Sequence, residues 1–470
     1  MIMNSNKFIL LQVVLNCLLF FCVFLTSEQE TKESIIGFYS IVSFVVYLYT
    51  IKAIGAEYIS LYSFFIIFMY LFNLGLPISR FIGYIGIEEE VFMNQRIYSM
   101  GKDNFISYML YAFALISFIE IGVIRYLRNK PQMRDNPIKS VKNTTEMKYF
   151  KIIGLLCIAI GAIPFYILEM STMTLAIMYG YHSEDAVDTF SGTGIGLLAN
   201  FVYIGFFTIL LYNRGNRRFF ILLSFIFIIY HLIRMYITGD RSTGVMYILI
   251  TLLVYHTYVS KIKGKKLLLG IVASYFAMAF LKMIESTRVN QVHSELELYK
   301  NTLANNPFCE TIFEFGGNVW SGMMVFYSMH DTYYRLGSTY IASIIGKPLS
   351  ILNINNSVWE SADFSNYILK SRDSVISSVS SAMGGSFSGE VFFNFGYLGV
   401  LLMPLFGYYL AKFSTACTLE RKNIVFSSYL LYIATLVIWW VRQYFPNIAW
   451  HSLFYGITLY ILCSIVSKKR

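Results

Sequence analysis

The 470-residue chain is 56% hydrophobic and only 14% charged, and its mean hydropathy is +0.58. This composition excludes a soluble globular domain and is typical of a polytopic membrane protein. The net charge of +10 comes mainly from basic connections between apolar runs, so it gives no support to nucleic acid binding. The sequence has no G-x-x-x-x-G-K-S/T phosphate loop, which excludes an ATP-driven pump.

Apolar runs recur along the chain, and about twelve of them have the roughly 18 to 22 residues that a helix needs to cross a bilayer. In chain order they lie near 7–26, 35–54, 59–78, 104–125, 149–168, 193–212, 219–238, 243–260, 267–285, 389–411, 424–445 and 448–466. The first run lacks a signal-peptidase cleavage pattern, so we expect it to be retained. The predicted fold is therefore all-α, a polytopic integral membrane protein.

Lysine and arginine concentrate in alternate connections and in the tail, namely 125–148, 213–218, 261–266, 419–423 and 467–470. Cytoplasmic loops of membrane proteins carry such an excess, so both termini are predicted to be cytoplasmic. The remaining connections would then lie on the outer side.

One outer connection is much longer than the others and covers 286–388. It has enough apolar residues for amphipathic helices but no run long enough to cross the membrane. Ordering so long a loop costs conformational entropy, which suggests a functional role. We predict spans and short loops over 1–285, this large outer loop, and the last spans over 389–470.

Arginines on the outer side run against the usual charge distribution, and they include Arg80, Arg241, Arg288 and Arg442, each near the end of a predicted span. The planar guanidinium matches phosphate oxygens, so these residues are candidates to bind a lipid diphosphate. Alternatively, each is an interfacial side chain that reaches toward the headgroups beside aromatic residues.

The seventh predicted span and the “TGDRST” turn after it place His231, Arg234, Thr238 and Arg241 on one stripe of a helix. A charge one turn below the interface is costly when it faces lipid, so Arg234 is expected to face a polar cavity and bind substrate. Asp240 is expected to orient Arg241 or offset its charge. His231 is more commonly a satisfied buried histidine than a catalyst.

A similar pattern on the ninth predicted span brings Lys282, Glu285 and Arg288 together. Lys282 and Arg288 are further candidates to bind substrate. An internal bridge between Lys282 and Glu285 is the alternative.

The segment “GGSFSGEVFFNFGYLG”, 384–399, closes the large loop and begins the tenth span. Ser386 or Ser388 is a plausible N-cap, and the free amides beyond it suit an anion. Glu390 lies in the first turn, with Asn394 on the same face. Glu390 either only complements the helix dipole, or it holds a sugar hydroxyl or acts on it as a general base.

The segments “GDRS” and “GGSFSGEVFFNFGYLG”, together with the many spans and the single late outer loop, resemble the Wzy group of O-antigen or oligosaccharide repeat-unit polymerases. The resemblance implies a GT-C-like inner-membrane glycosyltransferase that uses undecaprenyl diphosphate-linked repeat units on the periplasmic side. It transfers the growing chain to the non-reducing end of a new lipid-linked unit. The family's functional arginines carry over to Arg241 and, with fewer matching residues, to Arg288.

A diphosphate leaving group already activates the donor, so the protein needs to stabilise developing negative charge and to position a hydroxyl. Arg241 and Glu390 are the predicted catalytic residues, and no cofactor or metal is predicted. The predicted substrate-binding residues are Arg80, Arg234, Asp240, Lys282, Arg288, Asn394 and Arg442. Expected partners are the lipid-linked donor and acceptor, membrane lipids, and possible chain-length regulator and flippase proteins, with no nucleic acid.

Three alternatives stay open. A flippase for the same units predicts two related halves and no large outer loop. An O-antigen ligase shares the chemistry but uses a lipid A acceptor. A transferase using lipid monophosphate sugars would need a metal held by acidic residues such as Glu28, Glu30 and Glu33.

Overall fold

A computed structural model describes residues 5–85, 87–129, 145–179, 194–238, 240–266, 269–270, 272–277, 279–280, 306–329, 333–351, 384–419 and 423–468. All regular structure in these residues is helical, which confirms the all-α prediction. The α-helices are α1 (Ser5–Leu25), α2 (Gln29–Ala53), α3 (Leu61–Phe81), α4 (Ile87–Phe92), α5 (Lys102–Asn129), α6 (Thr145–Tyr179), α7 (Gly194–Ala199), α8 (Phe201–Tyr212), α9 (Arg217–Thr238), α10 (Arg241–Tyr258), α11 (Pro307–Gly317), α12 (Val319–Ser328), α13 (Ser338–Ile351), α14 (Phe387–Phe395), α15 (Gly399–Thr418), α16 (Ile424–Trp439) and α17 (Phe445–Lys468).

Nine helical stretches within the described residues are long and apolar enough to cross a membrane. Two further predicted spans are the shorter apolar α16 and the helix α10. Of the predicted span 267–285, the structure describes 269–270, 272–277 and 279–280, all of them helical. The total of about twelve spans and the GT-C-like arrangement therefore stay predictions.

Some helices continue beyond the apolar runs that predicted them. α2 begins at Gln29, ahead of the predicted start, and α6 runs from Thr145 to Tyr179. Hydropathy marks only the apolar part of a helix, whereas the backbone hydrogen-bond ladder continues through polar turns. The additional turn of α2 carries Glu30 and Glu33.

The described contacts divide the chain into two compact units. Unit 1 comprises 1–134, 309–415 and 440–449, and unit 2 comprises 135–308, 416–439 and 450–470. Each unit collects segments that are distant in sequence. The three-part division predicted from loop lengths stays a prediction.

Unit 1 is built around α3 and α5, whose side chains are mostly buried. Small residues let its helix backbones approach closely. A Cβ added to Gly37 would overlap the carbonyl of Pro77, and one added to Gly122 would overlap the carbonyl of Pro404. Such contacts are the usual means of packing helices where lipid removes the hydrophobic driving force between them.

Unit 2 packs α6 along α7 and α8, with α9, α10 and α16 beside them. Gly205 of α8 lies against the backbone of Gly154 on α6. Its core is aromatic, since the rings of Tyr203 and Tyr247 stack at 4.0 Å. The outward apolar side chains of α6 and α9, such as Ile163 and Phe225, suit a lipid environment.

Candidate functional site

An arginine at the end of α3 organises the first polar cluster of unit 1. Arg80 Nη2 lies 2.9 Å from Glu90 Oε2, and its Nε lies 3.4 Å from Glu33 Oε2. Glu30 Oε2 lies 3.7 Å from Arg80 Nη1. The Tyr98 hydroxyl donates a 2.6 Å hydrogen bond to Glu33 Oε1. The predicted phosphate ligand therefore already has carboxylate partners.

Arg80 and Glu33 are largely shielded from solvent, whereas the Glu90 and Glu30 side chains are 35% and 64% exposed. The exposed fraction is 13% for the Arg80 side chain and 0% for that of Glu33. Burial and the charge of Glu33 raise the pKa of the Tyr98 phenol well above its ordinary value, so this phenol is a neutral donor. Glu33 thus receives hydrogen bonds from two side chains, and α2 is tied to α3 and to the segment before α5.

The start of α14 forms the second cluster of unit 1. Ser386 is the N-cap, and its hydroxyl accepts a 3.2 Å hydrogen bond from the Gly389 amide. Ser388 donates to Asn73 Oδ1 and lies 2.7 Å from the Tyr108 hydroxyl. These polar side chains are buried and mutually satisfied. The predicted N-cap is confirmed as Ser386, while Ser388 binds across to α3 and α5.

The two clusters share one face of α3. Asn73 and Arg80 are separated by two helical turns, which is about 10 Å along the axis. The capped start of α14 and the Arg80 cluster therefore lie on the same side of α3, two turns apart along its axis.

Glu390 connects α14 to the turn that precedes α17. Its carboxylate accepts a 2.7 Å hydrogen bond from Trp440 Nε1 and longer bonds of 3.3 Å from the Phe445 amide. The residue is only 1% exposed. The Phe387 amide donates to the carbonyl of Val441, which adds a second link. Glu390 thus fixes the position of this turn relative to α14.

Arg442 lies in that same turn and is half-buried. The turn approaches closely because position 385 is glycine, where a Cβ would overlap the backbone of Gln443. Within the described ranges, no ion pair involves Arg442. Its predicted role in binding substrate stays a prediction.

Asn394 joins α14 to α13. Its amide nitrogen lies 2.7 Å from Thr339 Oγ1 and donates to the Glu390 carbonyl at 2.9 Å. The backbone adds bonds from the amides of Arg335 and Leu336 to the end of α14. The polar side chain of Asn394 is therefore engaged in protein contacts, and its substrate-binding role stays a prediction.

A cluster of charged side chains in unit 2 surrounds Arg234. Its Nε lies 3.1 Å and 2.9 Å from the two carboxylate oxygens of Glu169, and its Nη1 lies 2.8 Å from Asp240 Oδ2. The guanidinium is 11% exposed, against 15% for Glu169 and 18% for Asp240. As expected, Arg234 has polar surroundings, but two carboxylates of the chain itself provide them.

Asp240 also caps α10. Its Oδ1 accepts hydrogen bonds from the Thr243 amide at 3.3 Å and from the Ser242 hydroxyl at 2.8 Å. Burial alone would raise the pKa of Asp240, but the Arg234 charge and these hydrogen bonds outweigh it and hold the pKa well below its ordinary range. Asp240 is therefore ionised, and it braces the turn in front of Arg241, the first residue of α10.

His231 lies one turn before Arg234 and is fully buried. Its ring stacks on that of Tyr247 at 5.0 Å, and neither ring nitrogen has a hydrogen-bond partner among the described residues. The expectation of a satisfied buried histidine is therefore not met in these residues.

No pattern in the sequence predicted the pairing of Glu169 with Arg234, or of Glu33 and Glu90 with Arg80. The only indication in the sequence was a charged residue inside or beside an apolar run, which needs a polar partner but does not identify it. Lys282, Glu285 and Arg288 lie outside the described residues. In the described part of the chain, no group of three or more His, Cys, Asp or Glu side chains is arranged to hold a metal.

Comparison with known proteins gives one result. A family model described as O-antigen polysaccharide polymerase Wzy matches residues 8–470. No curated protein and no solved structure matches the chain. Since the matched residues cover nearly all of the sequence, the chain belongs to the O-antigen polysaccharide polymerase Wzy family.

Proposed function

We propose that this protein polymerises undecaprenyl diphosphate-linked oligosaccharide units into O-antigen or a related surface polysaccharide, on the periplasmic face of the inner membrane. The growing chain moves from its own lipid diphosphate to the non-reducing end of a new lipid-linked unit. The single observation that supports this most is the family match over residues 8–470. The polar clusters at helix ends support it further.

Within unit 2, we assign the diphosphate to the start of α10. Free amide groups and the positive end of the helix dipole favour an anion there. Arg241 is the first residue of this helix, and the capped turn before it is held by Arg234, Glu169 and Asp240. We assign Arg241 to the phosphate oxygens, and Arg234 and Asp240 to positioning it.

Within unit 1, we assign substrate contacts to the turn that carries Arg442. Glu390 holds this turn against α14 through Trp440 and Phe445. With both carboxylate oxygens occupied, Glu390 acts by positioning the turn, and we keep direct proton transfer as a second role to be tested. Arg80, Asn394, Lys282 and Arg288 stay proposed substrate-binding residues.

The chemistry balances without a redox partner. The acceptor hydroxyl oxygen forms a bond to the anomeric carbon of the first sugar on the donor. The bond from that carbon to the diphosphate oxygen breaks, and the lipid diphosphate leaves with the electron pair. The acceptor proton passes to a base. Guanidinium groups and helix amides stabilise the charge that develops on the leaving group.

A deletion strain complemented with variants tests this proposal. Loss of the gene should leave surface glycan with a single repeat unit, and wild-type protein should restore long chains. Arg241→Ala should fail to restore them although the protein reaches the membrane. Complete polymer stranded on its carrier in the deletion strain would instead indicate a ligase, and unexported units would indicate a flippase.

A further inference from the structure

Four polar side chains form a closed ring inside unit 1, away from both clusters described above. Gln12 Nε2 lies 2.7 Å from Glu120 Oε2, and Tyr70 Oη lies 2.9 Å from Glu120 Oε1. Tyr70 Oη also lies 3.0 Å from Ser43 Oγ, and Ser43 Oγ lies 3.0 Å from Gln12 Oε1. The ring joins α1, α2, α3 and α5.

The ring lies between helices that cross the membrane. All four residues belong to candidate spans and lie toward the middle of their helices rather than at the ends. Gln12, Ser43 and Glu120 are fully buried, and Tyr70 is 4% exposed. A polar group in such surroundings needs a hydrogen-bond partner, and a charge needs a counter-charge.

Counting protons assigns the state of the carboxyl group. The ring has four contacts, and each contact needs one proton between its two heavy atoms. The Gln12 amide, the Ser43 hydroxyl and the Tyr70 hydroxyl each supply one proton to the ring. With Glu120 ionised, three protons serve four contacts, and two oxygen lone pairs face each other at one of them.

The conclusion does not depend on how the Gln12 amide is oriented. In one direction around the ring, Gln12 donates to Glu120, Glu120 to Tyr70, Tyr70 to Ser43, and Ser43 to Gln12. With the amide reversed, every bond runs the other way, and Glu120 then donates to Gln12. Both directions close only when Glu120 carries a proton.

Within the part of the chain that the structure describes, no positive charge is paired with the Glu120 carboxyl group. No ion pair to Glu120 occurs among the described residues. The phenols of Tyr70 and Tyr47, which interact with Glu120 among the described residues, add no cation. An unpaired carboxylate at this depth would be strongly unfavourable.

We propose that Glu120 is an intramembrane proton-binding site, occupied at neutral pH, whose proton closes a hydrogen-bonded ring that ties four helices of unit 1 together. The chain takes up this proton as the helices pack, and the neutral acid acts as donor and acceptor at once. This role is independent of the glycosyl transfer proposed above.

Infrared difference spectroscopy of the purified full-length protein tests the proposal at neutral pH. The spectrum of wild type minus Glu120→Gln should contain the C=O stretching band of a carboxylic acid. Asp103→Asn serves as the matched control, because Asp103 is exposed on the same helix. That variant should lose carboxylate bands only. Loss of carboxylate bands and no acid band in Glu120→Gln would overturn the proposal.

A second variant keeps the proposal testable if Glu120→Gln does not fold. Tyr70→Phe removes the hydroxyl that accepts a hydrogen bond from the Glu120 acid in one direction of the ring and donates one to it in the other. The acid band should therefore shift to a different frequency relative to wild type. An acid band present in wild type and unmoved in Tyr70→Phe would show that Glu120 is not its source.

Discussion

Two of the arginines that the sequence offered as substrate ligands have carboxylate partners within the described residues. Arg80 contacts Glu33 and Glu90, and Arg234 contacts Glu169 and Asp240. A buried ion pair contributes little net stability, yet removing one partner strands the other charge. These residues therefore hold helix ends in position, and this role is compatible with the proposed substrate binding.

Substitutions at Arg234 test its positioning role. Arg234→Ala leaves Glu169 and Asp240 without their cation, so we expect a loss of stability of about 3 kcal/mol, seen as a lower thermal midpoint in detergent. Arg234→Lys should recover only part of that stability, because a single ammonium group cannot reproduce the separate contacts that Nε and Nη1 make with Glu169 and Asp240.

The paired variant Glu169→Gln with Arg234→Met supplies the control. Removing the charge of both residues together should be milder than Arg234→Ala, because one fewer carboxylate is stranded. Equal thermal midpoints for wild type and Arg234→Ala would contradict the positioning role of Arg234.

Sequence reasoning identified polar surroundings for Arg234 but not their source. The stripe of a single helix indicated that the side chain avoids lipid. Its partner Glu169 lies 65 residues earlier on another helix. No periodicity within one helix carries information about that pairing, since it arises only when the helices pack.

At the scale of helices, the start of α14 acts as a junction. Ser388 binds to α3 and α5, Glu390 to the turn before α17, and Asn394 to α13. A short helix with a polar side chain toward each neighbour fixes all of them relative to itself.

The two roles open to Glu390 are separable by experiment. Trp440→Phe removes a hydrogen bond to the carboxylate but leaves its charge, whereas Glu390→Gln removes the charge. If Glu390 only positions the turn, both variants should shorten the polymer to a similar extent. A large loss of turnover in Glu390→Gln with near wild-type turnover in Trp440→Phe would contradict that account and support the general base.

The crossing of α12 with α5 predicts a steric effect. A Cβ added to Gly322 would overlap the Tyr108 hydroxyl, so Gly322→Ala should cost about 1–3 kcal/mol of stability. Gly215→Ala is the matched control, since Gly215 has open space around it. Thermal midpoints measured side by side decide the matter, and similar midpoints for both variants would reject this packing.

Hydropathy predicted most helices because lipid demands long apolar runs with internally bonded backbones. It failed at their polar extensions, as at the start of α2, where Glu33 continues the helix to reach Arg80. The short helices α11 and α12 lie in the loop where amphipathic helices were expected, but hydropathy did not predict their positions, because they are too short to cross a membrane. Their places depend on contacts that a single sequence does not encode locally.

At the scale of the whole molecule, the chain is a multi-pass inner-membrane protein of the Wzy family. Unit 1 combines the N-terminal helices with 309–415 and 440–449, and unit 2 combines 135–308 with 416–439 and 450–470. The hydropathy pattern predicted apolar runs in chain order but not this interleaving, because nothing in such a pattern states which runs pack together.

The proposed mechanism uses guanidinium groups and helix amides in place of a metal. Chelation of divalent cations should therefore leave turnover by the purified protein unchanged. Loss of turnover on chelation, restored by adding back a divalent cation, would contradict a metal-independent reaction.

Polymerisation by the purified protein is the most direct test of the proposed function. Wild-type protein supplied only with lipid diphosphate-linked single units should produce a ladder of lengthened products and release one lipid diphosphate for each new linkage. Arg241→Ala should reduce that rate by about 10²–10³-fold. Wild-type protein that forms no linkage between lipid-linked units, yet transfers them to a lipid A acceptor, would contradict the account.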